Sequence, residues 1–255
     1  MSRAAGVRLK FERSRHHTAQ LERAIHDYLE QQPFAVYETE EEETGDLVYR
    51  VKVRKTPPTE LSLLLGDAIH NARAALDYLA WQLVIAGGGI PGTLTAFPIS
   101  KSEKEFNKSY QAKLKGSSQE ALAAVQALRP FSGGDERFWR LHGLDIEDKH
   151  HLLVAVGAAH RSVNVSFEVP GIEPVVLPLN PSDRAYPLRD GTEVFRVMRA
   201  ARESAEQGVG GANSFDFEVA FGEAGIVSGE PIIPTLSDLI TGVESAVAPL
   251  FALLE

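Results

Sequence analysis

Apolar residues recur at helical spacing over the first half of the chain and alternate with polar ones over much of the second. Leu21, Ala24, Ile25, Tyr28 and Leu29 fall at i, i+3, i+4, i+7 and i+8, which predicts an amphipathic helix over about 13–31. The period then drops to two. FAVYE and LVYRVKV alternate and are joined by the acidic stretch YETEEEETGD with its TGD turn, so a β-hairpin is expected at about 34–53. The acidic run reads as a solvated hairpin tip, since like charges repel and stay in water. TPPTE stops the second strand. Thr59, behind two prolines, is placed as the N-cap of a long helix that runs to about Ala86 and ends at GGGIPG.

Residues 91–116 are rich in Lys and Ser and read as a surface excursion with one short helix. SSQEALAAVQALRPF is a compact helix stopped by Pro130, and the stretch from Asp135 looks helical to about Gly157. Beyond it Val163, Val165, Phe167 and Val169 alternate, as do Phe215, Phe217, Val219 and Phe221. VVLPL and AYPL are shorter strand candidates, and EVFRVMRAARESAEQ reads as a strand running into a helix. Leu236, Leu239, Ile240, Val243, Val247, Leu250, Phe251 and Leu254 form the stripe of a closing helix that Pro249 kinks or ends. There is no internal repeat. The expected class is α+β: a helical core over 1–160 with the hairpin inserted, then a small antiparallel sheet and a C-terminal helix over 161–255, packed as one unit with the core.

Two stretches break this pattern. In HNARAALD, residues 70–77, His70, Arg73 and Asp77 fall at i, i+3 and i+7 on a narrow stripe between apolar margins. In LDIEDKHH, residues 144–151, Asp148 falls within the apolar face of Leu141, Leu144 and Leu152, with Asp145 and Lys149 beside it and His142 and His150 flanking a second apolar face. A central carboxylate needs a partner. Arg73, permanently charged and able to grip a carboxylate with two donors, is assigned to Asp148. The expectation is a half-buried contact between two helices, with Arg73 and His70 meeting Asp148 and Asp145.

Composition narrows the chemistry. The chain has 255 residues, a net charge of −9 and no cysteine, which removes thiolate metal sites and a Cys nucleophile. Six acidic residues of the hairpin tip account for much of that charge; without them the balance is −3. An acidic chain binds nucleic acid poorly unless cations are gathered locally. No apolar signal core precedes residue 17, and the long helix is interrupted by charge, so a cytoplasmic protein without a membrane span is expected. AGGGIPG lacks the Gly-Lys-Ser/Thr end of a phosphate-binding loop, and there is no Gly-x-Ser-x-Gly elbow.

Three readings of the cluster stay open. A metal-dependent hydrolase could use His142 and Asp145 with His70 and Asp77, though the paired Glu-x-x-His motifs of di-metal helical bundles are absent and Arg73 would repel the ion. A non-catalytic interaction protein would use the cluster as a packing device. Metal-independent phosphodiester cleavage would need a base, an acid and a cation, which His with Arg or Lys supplies. RFWRLH carries Arg137-x4-His142 within a helical stretch, and residues 13–157 thereby resemble the HEPN superfamily. That resemblance implies a helical ribonuclease whose Arg137 and His142 act without metal or cofactor from a homodimer interface on RNA; other members only bind. On an ideal helix the two residues stand about 140° apart, so Arg137 would sit at the helix start. The paired stretches also look like those of uncharacterised bacterial proteins, a likeness that brings no activity with it. On the ribonuclease reading His142 or His150 is the acid or base, Arg73, Arg137 or Lys149 stabilises phosphate charge, and Asp77, Asp145 and Asp148 orient them.

Overall fold

The computed structural model describes residues 2–160, 165–167, 175–177, 184–200, 217–222 and 225–254. Helix α1 spans Arg3–Glu30 and begins ten residues earlier than its strongest apolar stripe suggests. Its buried positions include Ala4, Val7, Phe11, Ser14, Thr18, Leu21, Ile25 and Tyr28, alternating steps of three and four as in a coiled-coil seam. Two of these are polar, which hides the seam from a hydropathy reading. Ser14 resolves its own burial by donating to the Ala68 carbonyl of the facing helix at 2.7 Å.

That facing helix is α2, Thr59–Ala86. Leu61, Leu65, Ala68, Ala72, Ala75 and Leu79 are buried along it with the same spacing, and the alanines allow close approach. Ser14 meets Ala68, and the Tyr78 ring lies where a Cβ on Gly6 would touch it at 3.2 Å, so α1 and α2 run antiparallel. Pro58, not Thr59, stands at the N-cap, and no side chain caps the helix. Proline already lacks the donor that the first turn cannot satisfy, so Thr59 is drawn into the helix.

Strands β1 (Phe34–Glu40) and β2 (Leu47–Val53) form the expected hairpin, with Phe34 opposite Val53 and Glu40 opposite Leu47. Residues 91–102 are less superficial than their polarity suggests, because Phe97 and Ile99 are buried. Helix α3 (Glu103–Lys113) is capped by Ser102, and α4 (Gln119–Ala127) by Ser118. Helix α5 spans Glu136–His150, capped by Asp135. It stops seven residues short of the expected Gly157. His151 is extended, and Ala155–His160 form β3, which pairs antiparallel with β8 (Phe217–Phe221) and β6 (Arg184–Ala185).

Strands β4 (Val165–Phe167) and β5 (Val175–Leu177) make a separate pair. Strand β7 (Glu193–Val197) adds to β2, so the hairpin is the first two-thirds of a three-stranded sheet ordered β1-β2-β7. Arg196 of β7 pairs with Glu41, Asp46 and Glu193, so the acidic tip is neutralised in part and not merely solvated. The expected strand positions Val163, Val169 and Phe215, and the helix expected after Ala200, lie outside the described residues. The closing helix α6 (Ile232–Val247) passes into a 3-10 turn, Ala248–Leu254, at Pro249. The fold is α+β, with α6 packed on α1 and α5. Residues 232–254 are long and apolar enough for a membrane span by composition, with mean hydropathy 1.4, contrary to the expectation from sequence. Their stripe, Leu236, Leu239, Ile240, Val243 and Val247, is buried against the other helices.

Candidate functional site

Helices α2 and α5 cross antiparallel, and their contact is a set of rungs. Gly66 faces Asp148, His70 faces Asp145, and Arg73 faces His142. Each step moves three or four residues up one helix and three down the other, so one face of each meets the other. The two interrupted stretches therefore do answer each other.

The pairing differs from the expected one. Arg73, 7% exposed, does not hold Asp148. Its Nη1 donates to Asp77 Oδ1 at 2.7 Å, its Nη2 to the Phe97 carbonyl at 3.4 Å, and its Nε to His142 Nδ1 at 3.5 Å. Asp77 Oδ1 also accepts from the Phe97 backbone N–H at 2.9 Å, so Arg73 and Asp77 together fasten the 97–99 segment to α2. Asp145, not Asp148, is the buried carboxylate, 3% exposed. It accepts from Lys149 Nζ at 2.5 Å and contacts His70 Nδ1 at 3.3 Å. Asp148 is half-buried, and its carboxylate lies directly over Gly66; a Cβ there would sit 2.5 Å from Oδ1. Burial, with the nearby charge of Asp145, raises the Asp148 pKa above the ordinary aspartate value.

The two histidines are set in opposite tautomers. A carboxylate only accepts, so neutral His70 must carry its proton on Nδ1 toward Asp145, which leaves Nε2 as an acceptor. The His70 side chain is 59% exposed. His142 accepts from Arg73 at Nδ1 and so carries its proton on Nε2. Burial, then the Arg73 charge, depresses the His142 pKa to about 4, and the ring is neutral at pH 7.

Lys113 belongs to the same site and is not among the residues expected from the sequence. It is half-buried at the end of α3. Burial and the Arg73 guanidinium lower its pKa, and Asp77 opposes them. Nothing in QAKLKG distinguishes Lys113 from Lys115; only the packing of α3 does.

The structure thus brings together His70, Arg73, Asp77, His142, Asp145 and Lys149. Asp148 stands one rung away. His150 is exposed in the last turn of α5. Arg137 does sit in the first turn of α5, but its guanidinium donates to Asp135 and to the Gly242 carbonyl of α6. The polar partners of Arg137 and His142 therefore lie on different sides of α5. Among the described residues no three His, Asp or Glu side chains are grouped to hold a metal ion.

No family model matches this chain, and no curated protein or solved structure does either.

Proposed function

We propose that the α2–α5 seam is a metal-independent site for phosphodiester cleavage in RNA. The observation that carries this reading is the buried Asp145 holding the exposed His70 ring by Nδ1. A carboxylate that fixes one imidazole nitrogen leaves the other as an oriented base. His70 Nε2 would take the proton of a 2′-hydroxyl. The 2′-oxygen would then displace the 5′-oxygen from phosphorus, giving a cyclic phosphate, while an ammonium group of Lys149 or Lys113 returns a proton to the leaving oxygen. The His142 Nε2–H would donate to phosphate oxygens, as an electrostatic stabiliser.

This differs in its parts from what the HEPN resemblance implies, since the base is His70 and not His142. Arg137 would contribute only through a second copy of the chain. The reading goes with a cytoplasmic protein.

A second reading has its own observation. Arg73 uses three of its N–H directions on protein acceptors, which suits a device that fixes helix register. Incubation of the purified protein with mixed RNA in EDTA separates the two. Cleavage that is lost in His70→Ala and in Asp145→Asn supports the catalytic reading. Folded protein with no cleavage in EDTA or with added divalent ions leaves the register device.

A further inference from the structure

Beside the cluster, on the solvent side of α2, lies a cavity of about 360 Å³ lined by Ala74, Asp77, Tyr78, Trp81, Gln82 and Thr95. Its volume is at the lower end of the range that takes small ligands. Tyr78 and Trp81 are 48% and 43% exposed. The Tyr78 ring leans on Gly6 of α1, yet both aromatics, three residues apart on a helix whose other face is fully packed, keep about half their surface in water. Asp77 is common to the cavity and the cluster. Its Oδ1 takes both the Arg73 and the Phe97 bonds, and Oδ2 takes neither.

From this geometry we propose a nucleobase subsite: an exposed base stacks on Trp81 and Tyr78 while its exocyclic amine donates to Asp77. Two ligand classes suit aromatic rings beside a carboxylate, an organic cation and a neutral heterocycle with N–H donors. Charge chooses between them. Asp77 is already matched by Arg73 at 2.7 Å, with Lys113 close enough for its own charge to be felt by both. A second cation gains little there, whereas a neutral ring loses nothing. A phosphate attached to that ring would gain from the positive charge of Arg73 and Lys113 close by, without contact to the buried guanidinium. Gln82 and Thr95 add an amide and a hydroxyl to the rim, both able to donate or accept at a base edge. Cytosine and adenine carry the required amine; uracil presents a carbonyl oxygen in its place, facing a carboxylate.

The inference rests on the phosphodiester reading for its substrate class and deepens it, since a base held here lies against the carboxylate shared with the cluster. It is tested apart from cleavage. In Trp139→Phe, Trp81 is the sole tryptophan, and its fluorescence is titrated with CMP, AMP, UMP, ribose 5-phosphate and choline. Saturable quenching by CMP and AMP is expected, about tenfold or more weaker for UMP and absent for ribose 5-phosphate. Tyr78→Ala, at an exposed ring, should weaken CMP binding by about tenfold to a hundredfold with the circular dichroism unchanged. No saturable response to CMP or AMP overturns the subsite. Equal binding of UMP overturns the amine contact, and quenching by choline alone makes it a cation site. Nucleotide binding without RNA cleavage would leave the subsite standing and remove the catalytic reading. Cleavage without nucleotide binding at Trp81 would do the reverse.

Discussion

Asp145, almost fully buried at the α2–α5 seam, is satisfied by two partners that are themselves mostly in water: His70, at 3.3 Å, and Lys149, at 2.5 Å. The carboxylate is fixed and its partners are replaceable. Removing His70 leaves the carboxylate its Lys149 bond, and removing Lys149 leaves it the His70 contact, whereas removing Asp145 leaves a gap in packed structure.

The first expectation follows from that asymmetry. Asp145→Ala should lower stability by about 1–3 kcal/mol, and His70→Ala by less than about 1 kcal/mol. Urea denaturation of the two variants measures both. Equal losses would mean that the ring, and not the carboxylate, holds the seam.

His142 gives a pH dependence whose sign is fixed. Its folded-state pKa, about 4, lies below the ordinary histidine value of 6.5. The unfolded chain therefore binds the proton more readily. The contribution is fully present above pH 6.5 and is lost as the pH falls toward 4. After allowance for the ring's partial exposure, the loss is roughly 2–3 kcal/mol. Melting temperatures from pH 7 to pH 4 should fall more steeply in the parent than in His142→Gln, and parallel curves would refute the assignment.

Arg73→Leu should cost about 1–3 kcal/mol, because the Phe97 carbonyl loses a buried donor. Asp77 is 44% exposed and can return to water, which keeps the cost moderate. The same change removes a cation from beside His142, so the histidine pKa should rise. Proton NMR of the ring reads that shift, and an unmoved titration would show that Arg73 does not reach it.

Gly66 and Asp148 should be coupled. In the parent, Gly66→Ala meets the Asp148 carboxylate, offsetting the roughly 1 kcal/mol that alanine brings to a helix interior. In the background of Asp148→Ala that gain should appear in full. Because burial raises the Asp148 pKa, its ionised form disfavours folding at neutral pH, and Asp148→Asn should raise the melting temperature there. A double-mutant cycle in urea tests the coupling.

Gly157 on β3 lies under the Phe34 ring, with a Cβ position only 2.2 Å from the ring edge. Phe34 is buried and its ring lies tilted by 35° against Phe217, centroids 5.0 Å apart, so it has little room to yield. Gly157→Ala should cost about 1–3 kcal/mol, and Phe34→Leu should recover part of that loss when the two are combined. Additive losses would place the strain elsewhere.

Much of this architecture is legible in the sequence, and the exceptions have physical causes. The alternation in LVYRVKV and the two prolines before Thr59 mark β2 and the start of α2 without help from tertiary structure. The end of α5 is not marked, because VAVGAA suits a helix as well as a strand; pairing with Phe217–Phe221 decides it. The helical wheel finds the stripe of His70, Arg73 and Asp77 but says nothing about sliding along the axis. Wheel angle and charge point Arg73 at Asp148, while the antiparallel rungs put His142 at that height and Asp148 at Gly66. Lys113 arrives from another helix, and no spacing within one helix can reveal it.

The β2–β7 pairing bears on how the chain is made. Arg50 and Glu193 are partners although some 140 residues separate them, and a ribosome adds about 5–20 residues each second. The hairpin is thus complete roughly 7–28 seconds before the strand that covers its inner edge exists. Through that interval the open N–H and C=O groups of Leu47–Val53 can template another chain, so nascent copies on one message face a hazard that the finished molecule does not. Any truncation that ends before residue 193 makes the hazard permanent.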